Sequence, residues 1–148
     1  GRWVKRSSSG EARFSGNTEG GGYYLEELTG PDNVGFSIYV NGNFYRASVP
    51  PSSLQLGRWH HMVGTYDGAI IRLYLDSVER SSQLVSGPIS YANSPPLCIG
   101  GESQTDPLGV GSCSVGYAPE QLDDAFIFNR ALTPAEVQLI YQRQSKTP

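Results

Sequence analysis

The chain has 148 residues, enough for one domain with a core of its own and no obligatory metal or disulfide staple. With 38% hydrophobic and 17% charged residues and a net charge of −3, it lacks the basic excess of a nucleic-acid binder and the charge density of a coiled coil or acidic tail. Its 18 glycines and 10 prolines favour many turns over long helices, and no apolar run approaches the roughly 18 residues that cross a bilayer, so the composition predicts an all-β fold without membrane insertion.

Taken in chain order, Trp3-Val4-Lys5 opens a first extended run that Ser7-Ser8-Ser9-Gly10 closes. Residues 23–28 follow the glycine-rich stretch 16–22 and end at Gly30-Pro31-Asp32-Asn33. Residues 34–40 and 44–49 flank Asn41-Gly42-Asn43, and Asn-Gly between two β-rich runs predicts a hairpin because both central positions favour φ > 0. Residues 59–66 and 70–75 form a second hairpin about Asp67-Gly68. Strands at this spacing point to a sandwich. Cys98 and Cys113 fit either a disulfide or two ordinary thiols; an acidic, Tyr- and Gly-rich composition suits a secreted module and favours the disulfide. Residues 122–128 read as a last strand. Thr133 then suits a helix N-cap, Pro134 the first helical position and Glu136 a capping box, with Val137, Ile140 and Tyr141 on one apolar face. The tail 145–148 is expected to fray. Met62 is the only methionine, so the chain is expected to be a processed or tagged form or a piece of a longer protein.

Three segments stand in a telling order: Leu56-Gly57-Arg58-Trp59-His60-His61-Met62-Val63-Gly64-Thr65-Tyr66-Asp67-Gly68, then Leu73-Tyr74-Leu75-Asp76, then the run from Leu122-Asp123-Asp124 through Asn129-Arg130-Ala131-Leu132-Thr133-Pro134-Ala135-Glu136-Val137. This pattern, spread over nearly the whole chain, resembles the laminin-G-like jelly-roll domains of the concanavalin A-like lectin and glucanase superfamily. The resemblance implies a two-sheet antiparallel jelly-roll sandwich with one short C-terminal helix, a single domain over residues 1–148. Such domains are commonly appended to secreted bacterial polysaccharide-degrading enzymes as carbohydrate-binding modules. The stretch that precedes the first strand in the family is absent here. A missing first strand would leave an edge to be blunted, covered by a partner chain or filled by swapping into a dimer. The family also favours Asp-Gly where this chain has Asp76-Ser77, so a different turn conformation is expected there.

Catalysis on this fold needs paired carboxylates, or a His/Tyr pair, projecting from one sheet. No such pair is found. Glu120 and Asp123, three apart on a strand, point to opposite faces, as do the adjacent pairs Glu26-Glu27, Asp123-Asp124 and His60-His61. The reading is therefore a non-enzyme. By resemblance, Asp123 is the matching residue for a structural Ca²⁺; sharing a predicted face with Ala125 and Ile127, it reads otherwise as a hydrogen-bonded or salt-bridged anchor of the last strand. Asp124, with Leu122, Phe126 and Phe128, reads as structural. Sugar recognition needs aromatic faces flanked by polar groups. Trp3 and Trp59 read as packing residues; Tyr23, Tyr39, Tyr66 and Tyr74 are ambiguous strand residues. Tyr91 and Tyr117 lie in loops, either folded back as plugs or presented to a ligand. With Glu102, Gln104 and Asp106 between the cysteines, they make the expected polysaccharide-binding region. Arg2, Lys5, Arg6 and Arg13 read as a solvated face, or as a contact for an acidic glycan or anionic partner. The expectation is a secreted, non-catalytic carbohydrate-binding or adhesion module of a larger protein, the alternative a structural or protein-interaction module.

Overall fold

The computed structural model describes residues 1–8, 12–17, 21–28, 31, 33–91, 96–105, 111–114 and 120–144, with main chain only at 13, 102–105, 114 and 120. In chain order the strands are β1 (Arg2–Arg6), β2 (Ala12–Asn17), β3 (Tyr23–Glu27), β4 (Val34–Val40), β5 (Asn43–Val49), β6 (Trp59–Tyr66), β7 (Ile70–Leu75), β8 (Val78–Leu84), β9 (Cys98–Ile99), β10 (Glu102–Thr105), β11 (Gly111–Ser114) and β12 (Glu120–Asp123), and α1 (Pro134–Arg143) follows. They build two antiparallel five-stranded sheets, ordered β12-β1-β6-β7-β8 and β5-β4-β3-β2-β9, and a small β10-β11 pair. The fold is the all-β sandwich the sequence predicts. The tail 145–148 lies outside the described residues.

Alternation along each strand decides what the sandwich encloses. Val4, Met62, Ile71, Leu73 and Leu75 of the first sheet face Phe14, Leu25, Phe36 and Ile38 of the second. One side of the sandwich is closed where β5 meets β8: the Ser48 N–H donates to Ser81 Oγ (3.1 Å) and the Arg46 N–H to Gln83 Oε1 (3.3 Å). The other face of the first sheet is covered too. Leu132, Val137, Ile140 and Phe126 pack over Val63 and Tyr74, and Tyr141 stacks on Trp3 at 5.5 Å. The helix begins as its capping box requires, with Thr133 Oγ1 accepting from the Glu136 N–H (3.3 Å) and Glu136 Oε2 from the Thr133 N–H (2.8 Å). Trp3 is buried and Trp59 half-buried, as packing residues should be. Cys98 and Cys113 are bonded, Cα atoms 5.6 Å apart, so β9 of the second sheet is tied to β11 of the small pair.

Four sequence-based expectations are corrected. The strand expected over 122–128 stops at Asp123, because Asp124 takes a left-handed φ of 48°. The register Val4↔Leu122 and Trp3↔Asp123 puts Leu122 on the core side with Val4, so Asp123 does not face an apolar layer: it is exposed. Arg2 and Arg6 do not belong to a basic surface either. They share the inward face of β1 with Val4 and are 1% and 3% exposed. Finally, the Asp76-Ser77 turn keeps the left-handed geometry that Asp-Gly would suit, with φ of 51° and 68°. Ser77 carries the steric penalty of that conformation, since an L side chain crowds the carbonyl there. Ser77→Gly is therefore expected to raise stability by about 0.5–1 kcal/mol, read as a melting temperature higher by about 1–4 °C; an unchanged or lower value would show that the turn is unstrained.

Candidate functional site

Two surfaces stand out, and they differ in chemistry. The first is a patch of rings on the outward face of the second sheet. The turn at Asn41 (φ 50°) and Gly42 (φ 82°) is the two-residue type that matches strand twist, and it sets Tyr39 opposite Phe44, Ser37 opposite Arg46 and Gly35 opposite Ser48. On the other side β3 sets Tyr24 opposite Ser37 and Glu26 opposite Gly35. Phe36 and Ile38 point into the core, so their neighbours on the strand point out. The Phe44 ring lies 4.7 Å from Tyr39 and 5.6 Å from Tyr24, and Phe44 is 48% exposed.

Beside the rings sits a charge pair. Arg46 NH1 reaches the buried Glu26 Oε1 at 2.7 Å, and Arg46 NH2 donates to the Asn33 carbonyl at 2.5 Å. Gly35 makes this possible: a Cβ there would come within 2.5 Å of Arg46 Nε and 2.9 Å of the Ala47 carbonyl oxygen, so any larger residue displaces the guanidinium. The result is a cluster of mutually tilted rings, Phe44 exposed and both tyrosines half-buried, with the Arg46–Glu26 pair at its border. Pyranose recognition needs that combination, C–H faces on aromatic rings and hydroxyls on fixed polar groups.

The second surface is a cavity of about 600 Å³ at the side of the sandwich away from β5 and β8. The β1-β6 ladder ends at Arg2↔Met62, while β6 runs on to Tyr66 and pairs there with β7 alone among the described strands. Tyr23, Phe36, Tyr66, Tyr91, Ile99 and Phe126 line the gap, with Arg2, Thr65, Asn129 and Arg130 as its larger polar residues. Tyr66 Oη lies within hydrogen-bond distance of the Gly87 (2.5 Å) and Val85 (3.1 Å) carbonyls, which fastens the segment leading to Tyr91. Burial pushes the hydroxyls of Tyr23, Tyr66 and Tyr91 above their ordinary pKa, so all three stay neutral. Its rim is apolar and exposed at Leu97, Ile99, Ile127 and Phe128. Among the described residues that line it there is no Asp, Glu or His.

The residues singled out from sequence fall in several places. Tyr91 is half-exposed at the cavity. Glu102 and Gln104 lie on β10, two apart and opposite Ser114 and Ser112; their side chains, and all of Asp106 and Tyr117, lie outside the described residues. Asp123 is exposed on β12, with Oδ1 accepting the Asp124 N–H at 2.8 Å. Calcium takes about six to eight oxygens. Among the described residues no three His, Cys, Asp or Glu side chains gather where they could hold a metal. Of the ambiguous tyrosines, Tyr39 joins the ring patch, Tyr23 and Tyr66 the cavity, and Tyr74 is buried under the helix layer. Sequence reasoning missed Tyr24, Phe44 and the Glu26–Arg46 pair. A two-residue Asn-Gly turn already dictates Tyr39↔Phe44, so that part was within reach.

The pairing of His60 with Asp76 is structural. His60 Nε2 accepts the Gln55 N–H (3.0 Å), which leaves the proton on Nδ1 to face Asp76 Oδ2 (2.8 Å). Burial opposes the Asp76 charge, yet hydrogen bonds from His60 and the His61 N–H keep its carboxyl below the usual range. Both ring nitrogens of His60 are thus engaged. His61 points to the opposite face of β6, as the adjacency of the two predicts.

The model of the concanavalin A-like lectin/glucanases superfamily, in its laminin-G form, matches residues 2–138. No curated protein matches the chain. Among solved structures, the chain is similar to the receptor binding domain of botulinum neurotoxin D, with a TM-score of 0.70 at 15% identity over 97% of this chain and 36% of that one. The binding domain of Paraclostridial Mosquitocidal Protein 1 gives a TM-score of 0.68 at 15% identity over 96% of this chain and 36% of that one. The chain thus spans about a third of the length of these proteins, and at such identity the likeness is one of fold. A match over nearly all of its length, on a sandwich of the same architecture, shows that the chain belongs to the concanavalin A-like lectin/glucanases superfamily.

Proposed function

We propose that the chain is a non-catalytic carbohydrate-binding module of a secreted protein, holding its ligand on the outward face of the second sheet. The observation that carries this reading is the cluster of exposed Phe44 with half-buried Tyr24 and Tyr39 beside the Arg46–Glu26 pair. The Cys98–Cys113 bond supports an extracellular setting, since such bonds persist outside reducing compartments. Among the described residues no helix is long and apolar enough to cross a membrane. The opposite facing of Glu26 and Glu27, and a cavity lining whose described residues include no acid or histidine, support a binding rather than hydrolytic role.

The test is retention on insoluble polysaccharides and a glycan array, with calcium and with chelator. Removing the most exposed ring by Phe44→Ala should cost about 1–1.5 kcal/mol, roughly tenfold in affinity, while circular dichroism stays that of the parent. Loss of retention with chelator would support calcium at Asp123, and retention unchanged by chelator would remove it from the reading. Undiminished binding of the Phe44 variant would move the site elsewhere. A protein-docking role is favoured by a different observation, the apolar rim of Leu97, Ile99, Ile127 and Phe128 around the cavity. It would gain if no glycan bound to the folded protein.

A further inference from the structure

The C-terminal helix is seated apart from the main core. Val4, Met62, Ile71, Leu73 and Leu75 point between the two sheets, whereas α1 closes a smaller cluster on the outward face of the first sheet, where Val63, Tyr74, Leu132 and Val137 meet Phe126 and Ile140. The two clusters share no residue, so α1 can leave its seat without opening the sandwich.

That seat is built around a histidine. His61 is 0% exposed and lies among the rings of Trp3 (5.2 Å), Tyr141 of α1 (5.8 Å) and Phe126 (5.9 Å). Both of its ring nitrogens, and Trp3 Nε1 beside them, are buried and meet no hydrogen-bond partner among the described residues. Uncharged, the imidazole is one more ring for Tyr141 to lie against. Protonated, it becomes a cation with two unmatched N–H donors in a layer of rings, and water reaches it only when the helix moves off. The charged groups that face it are the Gly1 amino group at the start of β1, Asp76 in the β7–β8 turn and Asp124 after β12, and Tyr141 faces it from α1. The two carboxylates favour the proton, but burial, aided by the amino group, outweighs them and keeps the ring neutral at neutral pH. The start of the helix does not titrate in the same range, because hydrogen bonds from Arg130 and Thr133 hold the Glu136 carboxyl at about 2.

We infer that α1 is an acid-operated latch over the first sheet, seated on neutral His61 and released when that ring is protonated, while the sandwich beneath keeps its core. Release uncovers Trp3, Val63 and Tyr74, an apolar outward face that neutral pH keeps closed.

Backbone hydrogen exchange of the intact chain at about pH 7 and about pH 4, corrected for the intrinsic pH dependence of exchange, tests this together with an NMR titration of the His61 ring. A ring held at about 4 in the seat and at 6.5 once released raises the opening of residues 134–143 about 100-fold over that range. The amides of β4 and β7 should stay protected, and His61→Phe should keep α1 closed. Loss of protection in α1 and both sheets together would overturn the inference, since the event would then be unfolding of the whole domain. Equal opening of α1 in His61→Phe would also overturn it and assign the response to another group, the buried Gly1 amino group first. Should that variant not fold, the parent protein decides: protonation of His61 that tracks the loss of α1 protection supports the latch, and a ring that titrates near 6.5 under a closed helix refutes it.

Discussion

Glu27→Ala should be among the most damaging single substitutions in this protein, costing about 3–5 kcal/mol in urea denaturation. Glu27 and Arg6 are both about 3% exposed and 2.5 Å apart, one on each sheet. Arg6 also donates to the carbonyls of Pro51 (3.2 Å) and Leu54 (3.1 Å), so one guanidinium joins β1, β3 and the turn after β5. Removing the carboxylate leaves a charge enclosed between the sheets without its partner, and the desolvation of Arg6 is then uncompensated. The pair itself is a poor source of net stability, because burying both ions offsets most of their attraction. Arg6→Met combined with Glu27→Leu should therefore recover most of the loss. If Glu27→Ala cost under about 1 kcal/mol, the two groups would have to be reached by water.

The second large effect is acid sensitivity centred on His61. This side chain is 0% exposed, with Trp3, Tyr141 and Phe126 rings at 5.2, 5.8 and 5.9 Å. Its ring nitrogens meet no hydrogen-bond partner among the described residues. Burial, aided by the charge of the Gly1 amino group and opposed by those of Asp76 and Asp124, lowers its pKa from 6.5 to about 4. The folded value is depressed, so the stabilising contribution is fully present above pH 6.5. Below that the unfolded chain takes up a proton that the folded one refuses, and stability falls until the folded group titrates near pH 4. Over that window the loss is about 3 kcal/mol, from roughly 1.4 kcal/mol per pH unit. His61→Phe keeps a ring among the other rings and should flatten the stability profile between pH 4 and 6.5 by about one proton. An identical slope in this variant would assign the acid sensitivity to other groups. The Asp76 carboxyl acts in the same direction but at lower pH, since its own value lies below 3.8.

Much of the fold is local and was legible as such. Asn41-Gly42 and Asp67-Gly68 define their hairpins because the φ values required there are rare for other residues, and Thr133-Pro134-x-Glu136 starts its helix through bonds within four residues. Strands without that punctuation were not legible. The β8 segment, Val78-Glu79-Arg80-Ser81-Ser82-Gln83-Leu84, is largely exposed and polar, and becomes a strand because β7 offers it a ladder. β9 to β11 depend on β2 and on the Cys98–Cys113 bond in the same way.

The sequence by itself determined the two hairpins, the capped helix, and the opposite facing of Glu26 and Glu27 and of His60 and His61. All of these follow from backbone geometry within a few residues. Tertiary structure decided the rest, because a charge or ring has no environment until another strand is placed against it. Arg6 reads as a surface cation until Glu27 of the opposite sheet meets it, and Asp123 reads as inward-facing until its register with β1 turns it out. Tyr24, Tyr39 and Phe44 come from three different strands, and Glu26 and Arg46 are twenty residues apart; only the pairing of β3, β4 and β5 makes them one surface.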